Sequence, residues 1–120
     1  MVNRVWLILL QSLSCVFLGL TLPAVAQSIS PETGALSTGT QVNQTNNQYD
    51  ITGGAASGDG ANLFHNFNEF SLGTGQTANF ITGSEVQNVL GSVLGGASYI
   101  DGLLQVFGSS ANLYLIRVCC

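Results

Sequence analysis

Gln87-Asn88-Val89-Leu90-Gly91-Ser92-Val93-Leu94-Gly95-Gly96-Ala97-Ser98-Tyr99-Ile100-Asp101-Gly102-Leu103-Leu104-Gln105-Val106-Phe107-Gly108-Ser109-Ser110-Ala111-Asn112-Leu113-Tyr114-Leu115-Ile116 is a run of short apolar segments broken by glycine. Residues 86–93, 99–107 and 111–118 are rich in Val, Ile, Leu, Tyr and Phe, which suit a pleated, half-buried surface. Gly91, Gly95-Gly96, Gly102 and Gly108 punctuate them at turn or bulge positions. In the last segment Ala111, Leu113 and Leu115 alternate with Asn112, Tyr114 and Ile116. That period of two sends successive side chains to opposite faces of a strand.

Upstream the signal is weaker. Residues 77–82, with Phe80 and Ile81, predict a strand, and residues 73–75 a turn before it. Residues 62–72 hold Leu63, Phe64, Phe67, Phe70 and Leu72. The spacing of three between the Phe residues would suit a helix, but Asn66, Asn68 and Gly73 oppose one, so the stretch reads as strand–turn–strand. Residues 49–52 form a short strand closed by Gly53-Gly54, and residues 55–61 a loop. Residues 27–48 are polar and read as an extended arm or cap with short strands at best. The chain thus offers about six short strands joined by Gly, Ser and Asn turns. A small antiparallel sandwich and a coiled stack of parallel strands both satisfy this pattern. No strict repeat decides between them.

Composition narrows the function. Charged residues make up 7% of the 120-residue chain, lysine is absent, and Arg4 and Arg117 are the only basic side chains. Nucleic-acid binding needs clustered cations to neutralise phosphate, so that class is excluded. An anionic membrane surface lacks a basic anchor for the same reason.

Residues 1–26 read as a secretory leader. Arg4 supplies positive charge, an apolar run includes Trp6, Leu7, Ile8, Leu9, Leu10, Val16, Phe17, Leu18 and Leu20, and Pro23 breaks it. Ala24-Val25-Ala26 then offers the small residues a signal peptidase accepts. Gln11, Ser12 and Ser14 interrupt the run and weigh against a membrane anchor. Cys15 lies in mid-run and Ser12 stands where a lipid-attachment motif needs an aliphatic residue.

Several short motifs have ordinary readings. Gly73-Thr74-Gly75-Gln76-Thr77-Ala78 fits a dinucleotide-binding pattern, yet no helix start follows it, so a turn is the reading. Asp59 is the single carboxylate among Gly53, Gly54, Gly58 and Gly60, too few oxygens for calcium. His65, the sole histidine, has no nucleophile or orienting acid beside it in sequence and reads as structural. Asp101, before Gly102, reads as a turn residue. Asn43-Gln44-Thr45 matches a glycosylation sequon by chance. Adjacent cysteines do not readily pair with each other, so Cys119-Cys120 could instead cross-link two copies in an oxidising compartment. Nothing here calls for a cofactor, a metal or a catalytic residue.

The segments 87–91, 95–96, 98–106, 108–109 and 111–116, with Gly60-Ala61-Asn62-Leu63-Phe64-His65-Asn66-Phe67, Phe70 and Ala78-Asn79-Phe80 upstream, resemble the N-terminal secretion domain of filamentous-haemagglutinin-type exoproteins, the passengers of two-partner secretion. The resemblance covers residues 41–116. It implies an all-β fold, a right-handed parallel β-helix (β-solenoid) with an N-terminal cap. It implies a leader over residues 1–26, a cap over 27–48, the start of the β-helix over 49–118, and a non-family tail at 119–120. It also implies export through the periplasm to the cell surface or medium. The periplasmic domains of a dedicated outer-membrane β-barrel transporter would recognise the domain, which would then nucleate β-helix folding. Glycan contact in such exoproteins belongs to downstream regions.

Two departures stand out: Arg117-Val118-Cys119-Cys120 replaces the family's Asn-Pro-Asn-Gly-type turn and further coils, and Ser92 replaces a common basic residue. The chain is therefore expected to be truncated, with its β-helix incomplete at the C-terminus. The surfaces expected to meet the transporter are those around Asn88, Asn112 and Leu113. The alternative is a free-standing secreted adhesin whose Tyr99, Phe107 and Tyr114 stack on sugars.

Overall fold

The computed structural model describes residues 28–118. The leader reading of residues 1–26 and the Cys119-Cys120 pair lie outside them. The described chain is all-β. Its strands are β1 (Ile29–Pro31), β2 (Gln41–Thr45), β3 (Gln48–Thr52), β4 (Ala55–Ala56) and β5 (Asn62–Leu72), followed by β6 (Thr77–Ile81), β7 (Asn88–Val93), β8 (Tyr99–Ile100), β9 (Leu103–Phe107) and β10 (Asn112–Arg117). A single 3-10 turn at Gly34–Leu36 interrupts the arm.

Two sheets face each other, and the chain alternates between them. In one, β5, β7 and β10 pair in parallel. In the other, β3, β6 and β9 do the same. Both sheets are mixed, because the arm and its neighbours add antiparallel strands. β1 and β4 pair with β5, and β2 pairs with β3. Residues 55–61, expected as a loop, therefore contribute a two-residue strand at Ala55–Ala56.

Strand parity sets the core. On β7, Val89, Gly91 and Val93 are buried while Asn88, Leu90 and Ser92 are half-buried on the outer face. On β3 and β6, Tyr49, Ile51, Ala78 and Phe80 point inward. The first layer is aromatic. Phe67 and Phe70 meet edge to face at 5.0 Å, and Phe70 stacks on Phe80 at 6.0 Å. These separations fall in the favourable range for ring pairs.

The expected strand–turn–strand over residues 62–72 is one eleven-residue strand, β5. In an ideal strand Phe67 and Phe70 would face opposite sides. The pairing with β1 slips between Ser30 and Pro31, so that Glu69 and Phe67 are partnered and Asn68 is skipped. This bulge resets the parity, and both Phe rings reach the core.

Residues 99–107 also differ from expectation: they form two strands, β8 and β9, on different ladders. The bend between them lies at Asp101-Gly102. A Cβ on Gly102 would overlap the Gln76 carbonyl oxygen and stand 2.8 Å from that of Gly73. Only glycine lets one coil of chain lie this close to the coil beneath. Gly108, with φ +100, does the same against the Thr82 carbonyl. Asp101 accepts a hydrogen bond from the Thr74 hydroxyl in the underlying turn. It thus joins two coils instead of only closing its own turn.

Successive coils are not equal in length. Asn62 and Asn88 are 26 residues apart, Asn88 and Asn112 only 24. Ile81 and Phe107 are still in register, so the difference falls wholly in the corners over residues 82–87 and 108–111.

Candidate functional site

The two ends of the stack are unlike. At the first, the arm and β4 lie along it: β1 and β4 cover one edge of β5, and β2 covers β3. At the other, β9 pairs only with β6 and β10 only with β7 among the described residues. Their far edges present a row of unpaired N–H and C=O groups, a template for another strand. The inward residues Leu104, Val106, Leu113 and Leu115 pack on the core but stay only partly buried. Leu103, Phe107, Tyr114 and Ile116 are each about half exposed.

Side-chain amides stack with the strands. Asn88 Nδ2 donates to Asn62 Oδ1 at 2.9 Å, and Asn112 Nδ2 donates to Asn88 Oδ1 at 3.2 Å. On the opposite sheet Asn79 Nδ2 donates to Asp50 Oδ1 at 3.1 Å, and Gln105 Nε2 donates to Asn79 Oδ1 at 2.9 Å. Gln48 also donates to Asp50 at 2.9 Å. Hydrogen bonds from Asn79 and then Gln48 hold the Asp50 carboxyl below its ordinary value. Both ladders run the same way, each later amide donating to the earlier one.

The arm is latched to the core through His65. Its ring is fully buried against Phe67 and Phe80, at 5.9 and 5.7 Å between ring centres. Nδ1 and the Thr40 hydroxyl lie 2.8 Å apart, Thr40 meets Thr38 at 2.8 Å, and the Asn66 N–H donates to Thr38 Oγ1 at 2.9 Å. Nε2 has no hydrogen-bond partner among the described residues. Burial lowers the imidazole pKa to about 4. Among the described residues no carboxylate is hydrogen-bonded to the ring, and the Thr40 hydroxyl that meets it is tied to Thr38. Among the described residues no group of three or more His, Cys, Asp or Glu could hold a metal.

Of the residues singled out in sequence, Asn112 and Leu113 lie on the open strand β10. Asn88 lies one strand in, with its carboxamide engaged on both sides. Tyr99, Phe107 and Tyr114 are exposed but sit on three different strands. Sequence reasoning passed over Asn62, Asp50, Asn79 and Gln105. A signal for the first was present: Asn62-Leu63-Phe64, Asn88-Val89-Leu90 and Asn112-Leu113-Tyr114 repeat the order amide, aliphatic, bulky apolar.

Parallel strands stacked coil on coil, closed by an arm at one end and open at the other, define a small all-β stacking module. The family model for the TPS secretion domain matches residues 27–117, and the chain belongs to that family. This is a non-catalytic targeting family of two-partner secretion exoproteins, which are exported to the cell surface or medium by way of an outer-membrane transporter. No curated protein and no solved structure matches the chain.

Proposed function

We propose that this chain delivers an exoprotein to its own outer-membrane β-barrel transporter, and then starts the folding of a right-handed parallel β-helix outside the cell. The carrying observation is the contrast between its ends: strands of the arm cover β3 and β5, while β9 and β10 lie open. In this reading residues 1–26 are a leader removed on export, residues 27–48 are the cap, and residues 49–118 are the first coils. Asn88, Asn112 and Leu113 belong to the surface that the transporter's periplasmic domains meet. Strand addition is the mechanism, since backbone groups on a sheet edge supply most of the bonds.

Co-expression with the partner transporter tests this. The chain is expected in the medium when the transporter is present and in the periplasm when it is absent. Retention in the periplasm with every cognate transporter overturns the reading. Exposure of Tyr99, Phe107 and Tyr114 favours a second reading, a glycan-binding adhesin. A glycan array with the purified chain decides it, and no binding removes it.

A further inference from the structure

We infer that the open end is keyed: it accepts a further coil of β-helix only in the register that sets a side-chain carboxamide donor over Asn112 and a second over Gln105. The inference rests on the reading that this edge receives more chain, and it names the chemistry that chain must carry.

The key follows from Asp50. An ionised carboxylate only accepts hydrogen bonds. Asn79 must therefore turn its NH2 group toward Asp50, as it does at 3.1 Å, which leaves Oδ1 for the next strand. Gln105 must answer with its own NH2 group, as it does at 2.9 Å, which leaves Oε1 directed at whatever stacks above it. Asp50 thus fixes the polarity of Asn79 and Gln105, up to the open edge of their sheet. The ladder of Asn62, Asn88 and Asn112 runs in the same sense on the other sheet and ends likewise with Asn112 Oδ1. Both rims offer acceptors.

These positions are costly to mismatch. Asn79 is only 2% exposed and Asn88 is half-buried, so stacking the next coil desolvates the carboxamide beneath. A strand slipped by one residue would cover Asn112 or Gln105 with an apolar side chain and strand an acceptor oxygen. A carboxylate at either key position would set acceptor against acceptor. A single foreign strand could satisfy one ladder only. A segment that crosses both rims, as residues 103–117 cover β6 with β9 and then β7 with β10, satisfies both at once.

The probe is a labelled synthetic peptide copying residues 103–117, which carries Gln105 and Asn112 in the order the two rims require, titrated into the full chain by fluorescence anisotropy with hydrogen exchange as the locator. The parent peptide is expected to bind and to slow exchange of β9 and β10 amides. A peptide with Gln105→Leu and Asn112→Leu is expected to bind about 25-fold more weakly, since each neutral hydrogen bond is worth roughly fivefold. One with Gln105→Glu and Asn112→Asp is expected to bind more weakly still. Equal affinity of parent and Leu peptides overturns the key while leaving export untouched. Failure of every peptide to protect β9 and β10 overturns it as well. Loss of transporter-dependent export with keyed binding intact would sink the proposed function alone.

Discussion

At neutral pH His65 is an uncharged imidazole shut between Phe67 and Phe80. Its folded-state pKa is about 4, against an ordinary 6.5, because burial disfavours the cation. The unfolded chain therefore takes up this proton first as pH falls. The stabilising effect is complete above pH 6.5 and is lost as pH drops through about 4, a change of about 3 kcal/mol. Urea unfolding between pH 7 and pH 4 is expected to show that decline, and His65→Gln to flatten it whatever its own stability at pH 7. Asn79 carries the second residue-scale prediction. Asn79→Ala leaves Gln105 and Asp50 each short of a partner, costing about 2 kcal/mol in equilibrium unfolding. Asn79→Asp costs more at pH 7, since it sets two carboxylates together. Asn88 and Asn112 could be singled out from the chain alone because they open β-rich runs. Asp50, Asn79 and Gln105 could not, because their relation spans coils 29 and 26 residues long with corners of unequal length.

Single elements show where local patterning suffices. The alternation in residues 111–116 and the apolar run over residues 86–93 predict β10 and β7, because one face of each packs on the core. In β5 the same rule fails. Its Phe residues recur at intervals that suit neither a strand nor a turn, and only pairing with β1 creates the bulge that turns Phe70 inward. Gly102 was legible as punctuation but not as a change of ladder, since the reason is the Gln76 carbonyl of another coil. Gly102→Ala is expected to cost about 3 kcal/mol or more in thermal or urea unfolding. Gly58→Ala is the control. It has open space around it and no positive φ, so its stability should stay within about 1 kcal/mol of the parent.

For the molecule as a whole, the sequence predicts a polar arm with short strands at best, and the antiparallel pairing of β1 and β2 left no mark in it. Backbone groups make that pairing, and they leave no trace in residue type. Deleting residues 28–46 uncovers β3 and part of β5 and removes Thr38 and Thr40 from His65. Both ends then carry bare edges, and end-to-end association becomes possible without closure. Light scattering is expected to show concentration-dependent oligomers for the deleted chain and none for the parent. The unequal corners have a different consequence. Strand phase survives the loss of two residues between residues 82–87 and 108–111, so the slack is absorbed at the bends and never reaches the ladders. Ser84 and Glu85, both exposed in the longer bend, mark a seam where a foreign epitope could be spliced in and held outward on an undisturbed frame.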